Sequence, residues 1–268
     1  MDELSRERAA SFGRVAATYE AHRPGYPDDA VRWLTGPSGD PVPRVLELAA
    51  GTGKLTRALA QHCDEVIATD SSAAMLAKLR AAAPGAVTIP AAAESIPFRS
   101  SSFDLVVAAQ AFHWFDSQTA LPEIARVLRA GALLSIAWNV ADYRVPWVRR
   151  LFALCLPALE GSVEDDPVRG CDLFQPSEHI VFRHWQRMDR EALLGFVGSQ
   201  SRIVVMAAAE RDDVLEQAGS LYDEYGRGPD GLVIPWQTTC FRARVTKVDG
   251  PPPERDDGTD DGLLIRLG

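Results

Sequence analysis

The amino-acid sequence predicts an α/β protein built on a doubly wound, Rossmann-like sheet of seven strands, mostly parallel, with an antiparallel pair at one edge. Three observations carry this expectation. Short apolar runs alternate with helix-like segments over about 95 residues from position 44 onward, the order that a parallel sheet with crossover helices requires. Those runs are rich in Val, Leu and Ile at successive positions, as strands covered on both faces are, whereas a half-exposed antiparallel sheet alternates. Finally, Gly51 and Gly53 fall between the first strand and the first helix, where such folds turn tightly around a ligand.

In chain order, residues 2–18 read as a helix and 27–35 as a second, with Pro27 near its start. The Gly- and Pro-rich stretch 36–43 reads as a linker, so residues 1–43 are expected to form an N-terminal helical lid. Strands are predicted at 44–48, 65–70, 86–90, 103–110 and 132–138, with helices at 54–62, 72–83 and 117–130. After Trp138 the alternation lapses. Residues 139–177 hold one predicted helix (146–159) and a polar stretch, and read as an insertion on the substrate side. A strand at 179–188, helices at 190–198 and 208–226 and a last strand at 232–245 follow, the two strands being alike enough to pair antiparallel. This assigns 44–250 to one α/β domain, the insertion included, and leaves 251–268, rich in Pro, Gly and Asp, as an acidic tail expected to be disordered.

Composition removes several function classes. The chain has 28 Lys plus Arg against 37 Asp plus Glu, a formal charge of −9, which repels phosphate backbones and argues against nucleic acid as a partner. The tail beyond residue 250 carries five acids and two bases, so the body is only mildly negative. Cys63, Cys155, Cys171 and Cys240 form no C-x-x-C pair, so a reducing compartment is the simpler expectation than a disulfide scaffold. The charged N-terminus lacks the apolar centre of a signal peptide, and no apolar run nears the roughly 20 residues of a membrane helix. A soluble, cytoplasmic protein without a membrane partner is expected.

The glycine loop reads Val45-Leu46-Glu47-Leu48-Ala49-Ala50-Gly51-Thr52-Gly53-Lys54-Leu55. A dinucleotide site wants a third glycine at position 56, which is Thr56, and the triphosphate-loop pattern fails as well. Glu47 at the end of the first strand would repel a diphosphate and suits a ligand carrying positive charge. Asp70, 17 residues beyond Gly53 at the next strand end, is placed to accept two hydrogen bonds from a ribose diol. Together they describe a pocket for a nucleoside with a cationic tail.

The run E-L-A-A-G-T-G, followed by T-D, then A-A-A-E-S-I-P-F and F-D-L-V-V-A-A-Q-A-F-H-W-F, resembles the class I S-adenosylmethionine-dependent methyltransferases. It is most similar to the small-molecule branch of trans-aconitate and ubiquinone/menaquinone type. The resemblance covers about residues 12–140 and implies S-adenosyl-L-methionine as cofactor and a small organic methyl acceptor. It implies that Glu47, Ala49, Gly51 and Gly53 line the methionine moiety and that Asp70 holds the ribose. Ser71 and Met75 would flank the adenosine, Ala93 and Glu94 would meet the adenine edge, and Gln110 would sit beside the cofactor. The stretch 12–27 resembles the family's lid, with Tyr19 and Arg23 folding over the cofactor and Arg23 facing its carboxylate.

Ligands of doubly wound sheets lie beyond the carboxyl ends of the strands, which puts Phe112, His113, Trp114 and Phe115 at the mouth, with Trp138 and Asn139 near it. Methyl transfer from a sulfonium is an in-line displacement, and aromatic walls exclude water from it. His113 is the candidate general base, or else a residue that orients the loop; Trp114 is a candidate pocket wall. Arg183, His184 and Trp185, and Arg144, Arg149 and Arg150, are weaker candidates for substrate contacts. The fourth strand is not followed by the Pro-Pro motif of DNA amino-methylases. Asp116 and Asp142 lack a third acid for a metal, so no metal is expected. A NAD-linked oxidoreductase and a catalytically inactive cofactor-binding protein are the alternatives. The acceptor and the choice between monomer and homodimer stay open.

Overall fold

The computed structural model describes residues 23–36, 42–155, 166–226, 228 and 231–246. Helix α1 (Asp28–Thr35) precedes β1 (Val42–Leu48), α2 (Lys54–Leu59), β2 (Cys63–Asp70), α3 (Ala73–Ala82) and β3 (Val87–Pro90). Then come β4 (Phe103–Ala109), a 3₁₀ turn (Phe112–Trp114), α4 (Ser117–Val127), β5 (Leu128–Ala141) and α5 (Pro146–Cys155). The chain continues through β6 (Glu178–Met188), α6 (Arg190–Gly198), α7 (Ser201–Val204), α8 (Ala208–Tyr225) and β7 (Leu232–Arg244).

Among the described residues, seven strands form one sheet in the order β3-β2-β1-β4-β5-β7-β6. The pairs β1–β2, β2–β3, β1–β4 and β4–β5 are parallel. Asp142 N–H donates to Pro235 C=O at 2.9 Å and Val245 N–H to Ala132 C=O at 3.0 Å. Residue numbers therefore rise along β5 as they fall along β7, which makes β7 antiparallel to it. The predicted fold class is the observed one.

The chain divides into two compact units. The first contains Asp28–Ala137 with described residues 166–180 and 240–246. Its helix α1 buries Ala30, Val31 and Leu34, and the Leu34 carbonyl accepts a 2.7 Å hydrogen bond from Ser135 Oγ. Phe98 meets Phe103 edge-on at 5.0 Å. The Arg126 guanidinium donates to the carbonyls of Phe98 and Ile96 at 2.7 and 2.9 Å while paired to Glu123. These bonds clamp the loop after β3 in place.

The second unit contains described residues 23–27, 138–155 and 181–239. Phe152, Phe196 and Trp236 form a mutual edge-to-face cluster with centroids 5.6 to 5.9 Å apart, a geometry that adds electrostatic attraction to apolar burial. Asn139 joins strand to loop: its Nδ2 donates to Gly25 C=O at 3.0 Å, and its Oδ1 accepts from Thr238 Oγ1 at 2.6 Å.

Some boundaries differ from expectation. Helix α4 stops at Val127 because Leu128 takes an extended backbone (φ −71°, ψ 142°), so 128–130 belong to β5 rather than to the predicted helix. That strand also runs past Trp138 to Ala141. The lid helix 2–18, most of the linker and the acidic tail lie outside the described residues.

Candidate functional site

Glu47 is the next-to-last residue of β1, beside Ala68 of β2 and Val107 of β4, and it is 2% exposed. Thr56, one turn into α2, donates a 2.6 Å hydrogen bond to Glu47 Oε2. The residue that breaks the dinucleotide pattern is thus the hydroxyl that holds the acid. Thr69 Oγ1 donates to the Glu47 carbonyl at 3.0 Å. Burial pushes the Glu47 carboxyl up to about 8; the nearby Asp70 charge adds to the rise and the Thr56 bond opposes it.

Asp70 ends β2 and is 8% exposed. Its Oδ2 accepts from Gly51 N–H at 2.9 Å and its Oδ1 from Ser72 N–H at 2.8 Å. Burial raises its pKa against those two backbone bonds. A carboxylate offers about four acceptor sites, so each oxygen keeps capacity for a hydroxyl donor. Two acids withdrawn from water, with the charge of Asp70 adding to the cost of ionising Glu47, fit a cationic ligand that carries a diol. The residues present therefore suit S-adenosylmethionine.

The loop between them is held by backbone geometry. Ala50 N–H donates to Thr69 C=O at 2.8 Å and Gly53 N–H to Ala50 C=O at 3.0 Å. Gly51 and Gly53 have φ of 58° and 86°, and a Cβ on Gly53 would lie 2.8 Å from Leu79 Cγ. Ala49 also sits in the left-handed region, at φ 52°, where an L side chain costs roughly 1–2 kcal/mol. Ala49→Gly relieves that strain at the expense of unfolded-chain entropy. We expect a net gain of about 0.5–1 kcal/mol in denaturant unfolding; a loss would show that the strain is absent.

The other sequence-predicted residues are placed as follows. Met75 is buried in the first turn of α3, its N–H donating to the capping Ser72 Oγ at 3.4 Å, while Ser71 is exposed. Ala93 is buried, and half-buried Glu94 accepts the Asp116 N–H at 2.9 Å through Oε1. Gln110 follows β4 with φ 56°, its N–H bonded to Ala137 C=O at 2.8 Å. Strain of this kind concentrates at ligand sites. His113 and Trp114 share the 3₁₀ turn, ring centroids 4.8 Å apart. Desolvation holds the His113 pKa below its ordinary value, so its imidazole is neutral near pH 7 and able to accept a proton.

Glu47, Asp70, the glycine loop, Met75, Ala93, Glu94, Gln110 and His113 all belong to the first unit. Arg23 belongs to the second, where its Nη2 donates to Gln200 Oε1 at 2.9 Å and its guanidinium lies 5.7 Å from the Phe196 ring centre. Tyr19 lies outside the described residues. Among the described residues no group of three His, Cys, Asp or Glu is placed to hold a metal, and no helix is long and apolar enough to cross a membrane. Sequence reasoning missed Thr56 and Thr69 as partners of Glu47; a hydroxyl one helical turn past Gly53 was the available sign.

Residues 46–136 match a family described as a methyltransferase domain. A protein of Mycobacterium bovis named as an uncharacterised methyltransferase is 37% identical over 246 residues, covering 90% of this chain and 98% of that protein. A malonyl-acyl-carrier-protein O-methyltransferase of Enterobacter lignolyticus is 36% identical over 135 residues, 50% of this chain and 54% of that one. A solved structure described as a type II methyltransferase of Anaeromyxobacter dehalogenans superposes with a TM-score of 0.62 at 26% identity, covering 83% of this chain and 97% of that chain. Identity at this level over nearly the whole length of a named methyltransferase, on a sheet of this order, settles the family: the chain belongs to the class I S-adenosylmethionine-dependent methyltransferases.

Proposed function

We propose that the chain transfers a methyl group to a small organic acceptor at oxygen, nitrogen or carbon. The observation that carries this reading is the burial of Glu47 and Asp70 at adjacent strand ends around the glycine loop. The cofactor, when bound, supplies a methyl group made electrophilic by its sulfonium. Glu47, Ala49, Gly51 and Gly53 would hold the methionine part, with Glu47 answering its ammonium. Asp70 would take the ribose hydroxyls, Ser71 and Met75 the flanks of the adenosine, and Ala93 and Glu94 the adenine edge. Gln110 would border the sulfur side. Tyr19 and Arg23 would close over the cofactor as part of an N-terminal lid, and residues 139–177 would serve the acceptor side.

Neutral His113 would take the proton from a phenol, alcohol or amine, and Trp114 would wall the pocket against water. The O-methyltransferase named above favours oxygen among the three acceptor atoms. A carboxylate acceptor would need no base, which makes His113 diagnostic of the acceptor class.

Titration calorimetry with S-adenosylhomocysteine tests the cofactor half. Binding should be sub-millimolar, and Asp70→Ala should weaken it by about tenfold or more, since a charged hydrogen bond is worth about 1.5–3 kcal/mol. No heat from the wild-type protein would sink the reading. His113→Asn should leave that affinity unchanged and lower kcat for a hydroxyl or amine acceptor by about 10²–10⁴; an unchanged kcat would remove the base assignment.

A further inference from the structure

The second unit holds a cavity of about 460 Å³ that none of the cofactor residues reaches. That volume lies within the range of about 300–1,000 Å³ common to small-molecule sites. Asp142, Arg144, Trp147, Arg183, His184 and Trp236 line it, and the remaining lining residues are Trp, Val and Pro. The walls are thus mainly apolar and flat, and Trp147 is itself braced by stacking on Tyr225 at 6.3 Å.

The polar groups are few. Trp236 is 4% exposed, and its indole N–H has no hydrogen-bond partner among the described residues. His184 Nε2 is likewise withdrawn from water without a partner. A buried donor left unpaired is costly, and native structures rarely keep one without a reason. The Asp142 carboxylate is matched by Arg144, whose Nε and Nη2 bond its two oxygens at 2.7 and 2.5 Å. The Arg183 guanidinium has no ion-pair partner among the described residues. The cavity therefore carries one surplus positive charge and an unsatisfied neutral donor within aromatic walls. A cation would be repelled there, and a neutral hydrocarbon would leave the donors unpaired.

We propose that this cavity binds an organic anion: a flat, apolar, ring-sized body bearing one carboxylate. The carboxylate meets Arg183 and the Trp236 N–H, with His184 as a further donor in its Nε2–H tautomer. The ring lies against the tryptophan faces. The inference stands apart from the cofactor half of the methyl-transfer reading, because none of the residues assigned to the cofactor lines the cavity, while Asp142, Arg144 and Trp147 fall in the stretch 139–177 given to the acceptor side.

The test is calorimetric titration of the full chain with 2-naphthoate, with 2-naphthamide as the neutral comparator. Naphthoate should bind at least tenfold more tightly than the amide, both with and without saturating S-adenosylhomocysteine. Arg183→Gln and Trp236→Phe should each weaken naphthoate at least fivefold while S-adenosylhomocysteine affinity stays as in the wild type. Arg183 is exposed on β6, so its replacement keeps the test valid even if Trp236→Phe fails to fold. Absence of naphthoate binding, equal binding of the amide, displacement by S-adenosylhomocysteine, or wild-type affinity in Arg183→Gln would each overturn the proposal.

Discussion

Replacing Glu47 by Gln is expected to stabilise the ligand-free protein at alkaline pH while weakening its hold on the cofactor. The carboxyl sits near 8 in the folded chain against an ordinary value of 4.5. Below 4.5 the group is protonated in both states and has no effect on the balance. Between 4.5 and 8 the unfolded chain releases the proton and the folded chain retains it, so wild-type stability falls by about 1.4 kcal/mol per pH unit. Above that window the loss is complete, with a ceiling on the order of 5 kcal/mol. Gln does not titrate, and its carbonyl can still accept the Thr56 hydroxyl. Denaturant unfolding at pH 5 and pH 9 should therefore show the advantage of Glu47→Gln growing by a few kcal/mol; a constant difference would refute the raised pKa. Cofactor binding has the opposite slope. A cationic ammonium recruits the ionised carboxylate, so wild-type affinity should climb between pH 6 and pH 8 by up to about tenfold per unit. Calorimetry in buffers of different protonation heat should record the released proton, and Glu47→Gln should lose both the slope and much of the affinity.

Gly53→Ala should be the most damaging single methyl in the loop. The position requires φ 86°, and the added Cβ would lie 2.8 Å from Cγ of Leu79, which is fully buried with Ala68 and Leu76. Left-handed strain of roughly 1–2 kcal/mol adds to overpacking of about 1–3 kcal/mol. A loss of about 2–5 kcal/mol in unfolding free energy is expected, with the loop displaced and S-adenosylhomocysteine binding lost. Gly51→Ala makes the control. Its φ is 58° but its Cβ would meet nothing within 4 Å, so only the strain, about 1–2 kcal/mol, should appear. Equal effects at the two positions would show that contact with α3 plays no part.

The parallel half of the molecule was legible because each of its decisions is local. A buried strand is an uninterrupted apolar run, its end is marked by the first polar residue, and the helix that follows starts within a few residues. Asp70 was found that way, as the acid closing an apolar run, and Glu47 as the one acid in the last residues of another; β2 ends at Asp70, and Glu47 is next to last in β1. Their partners were not legible. Thr56 reaches Glu47 across nine residues, and the Gly51 N–H reaches Asp70 across 19 residues. Likewise, nothing in the composition of Ala49 or Gln110 announces a left-handed backbone; the turns around them impose it.

The edge of the sheet shows the same division. The runs around 179–188 and 232–245 were readable as two strands that pair, since their apolar content and length suffice for that. Which of them lies against β5 was not readable: hydrogen bonding between strands is sequence-blind, and side-chain packing on each face decides the neighbour. Folding inserts β7 between β5 and β6, and in doing so assembles Asp142, Arg183, His184 and Trp236 from three distant stretches around one cavity. Chemistry carried by one short segment was already visible in the order of residues. Chemistry shared between segments came into being only when the chain closed, because burial, desolvation and the meeting of remote donors are properties of the packed molecule.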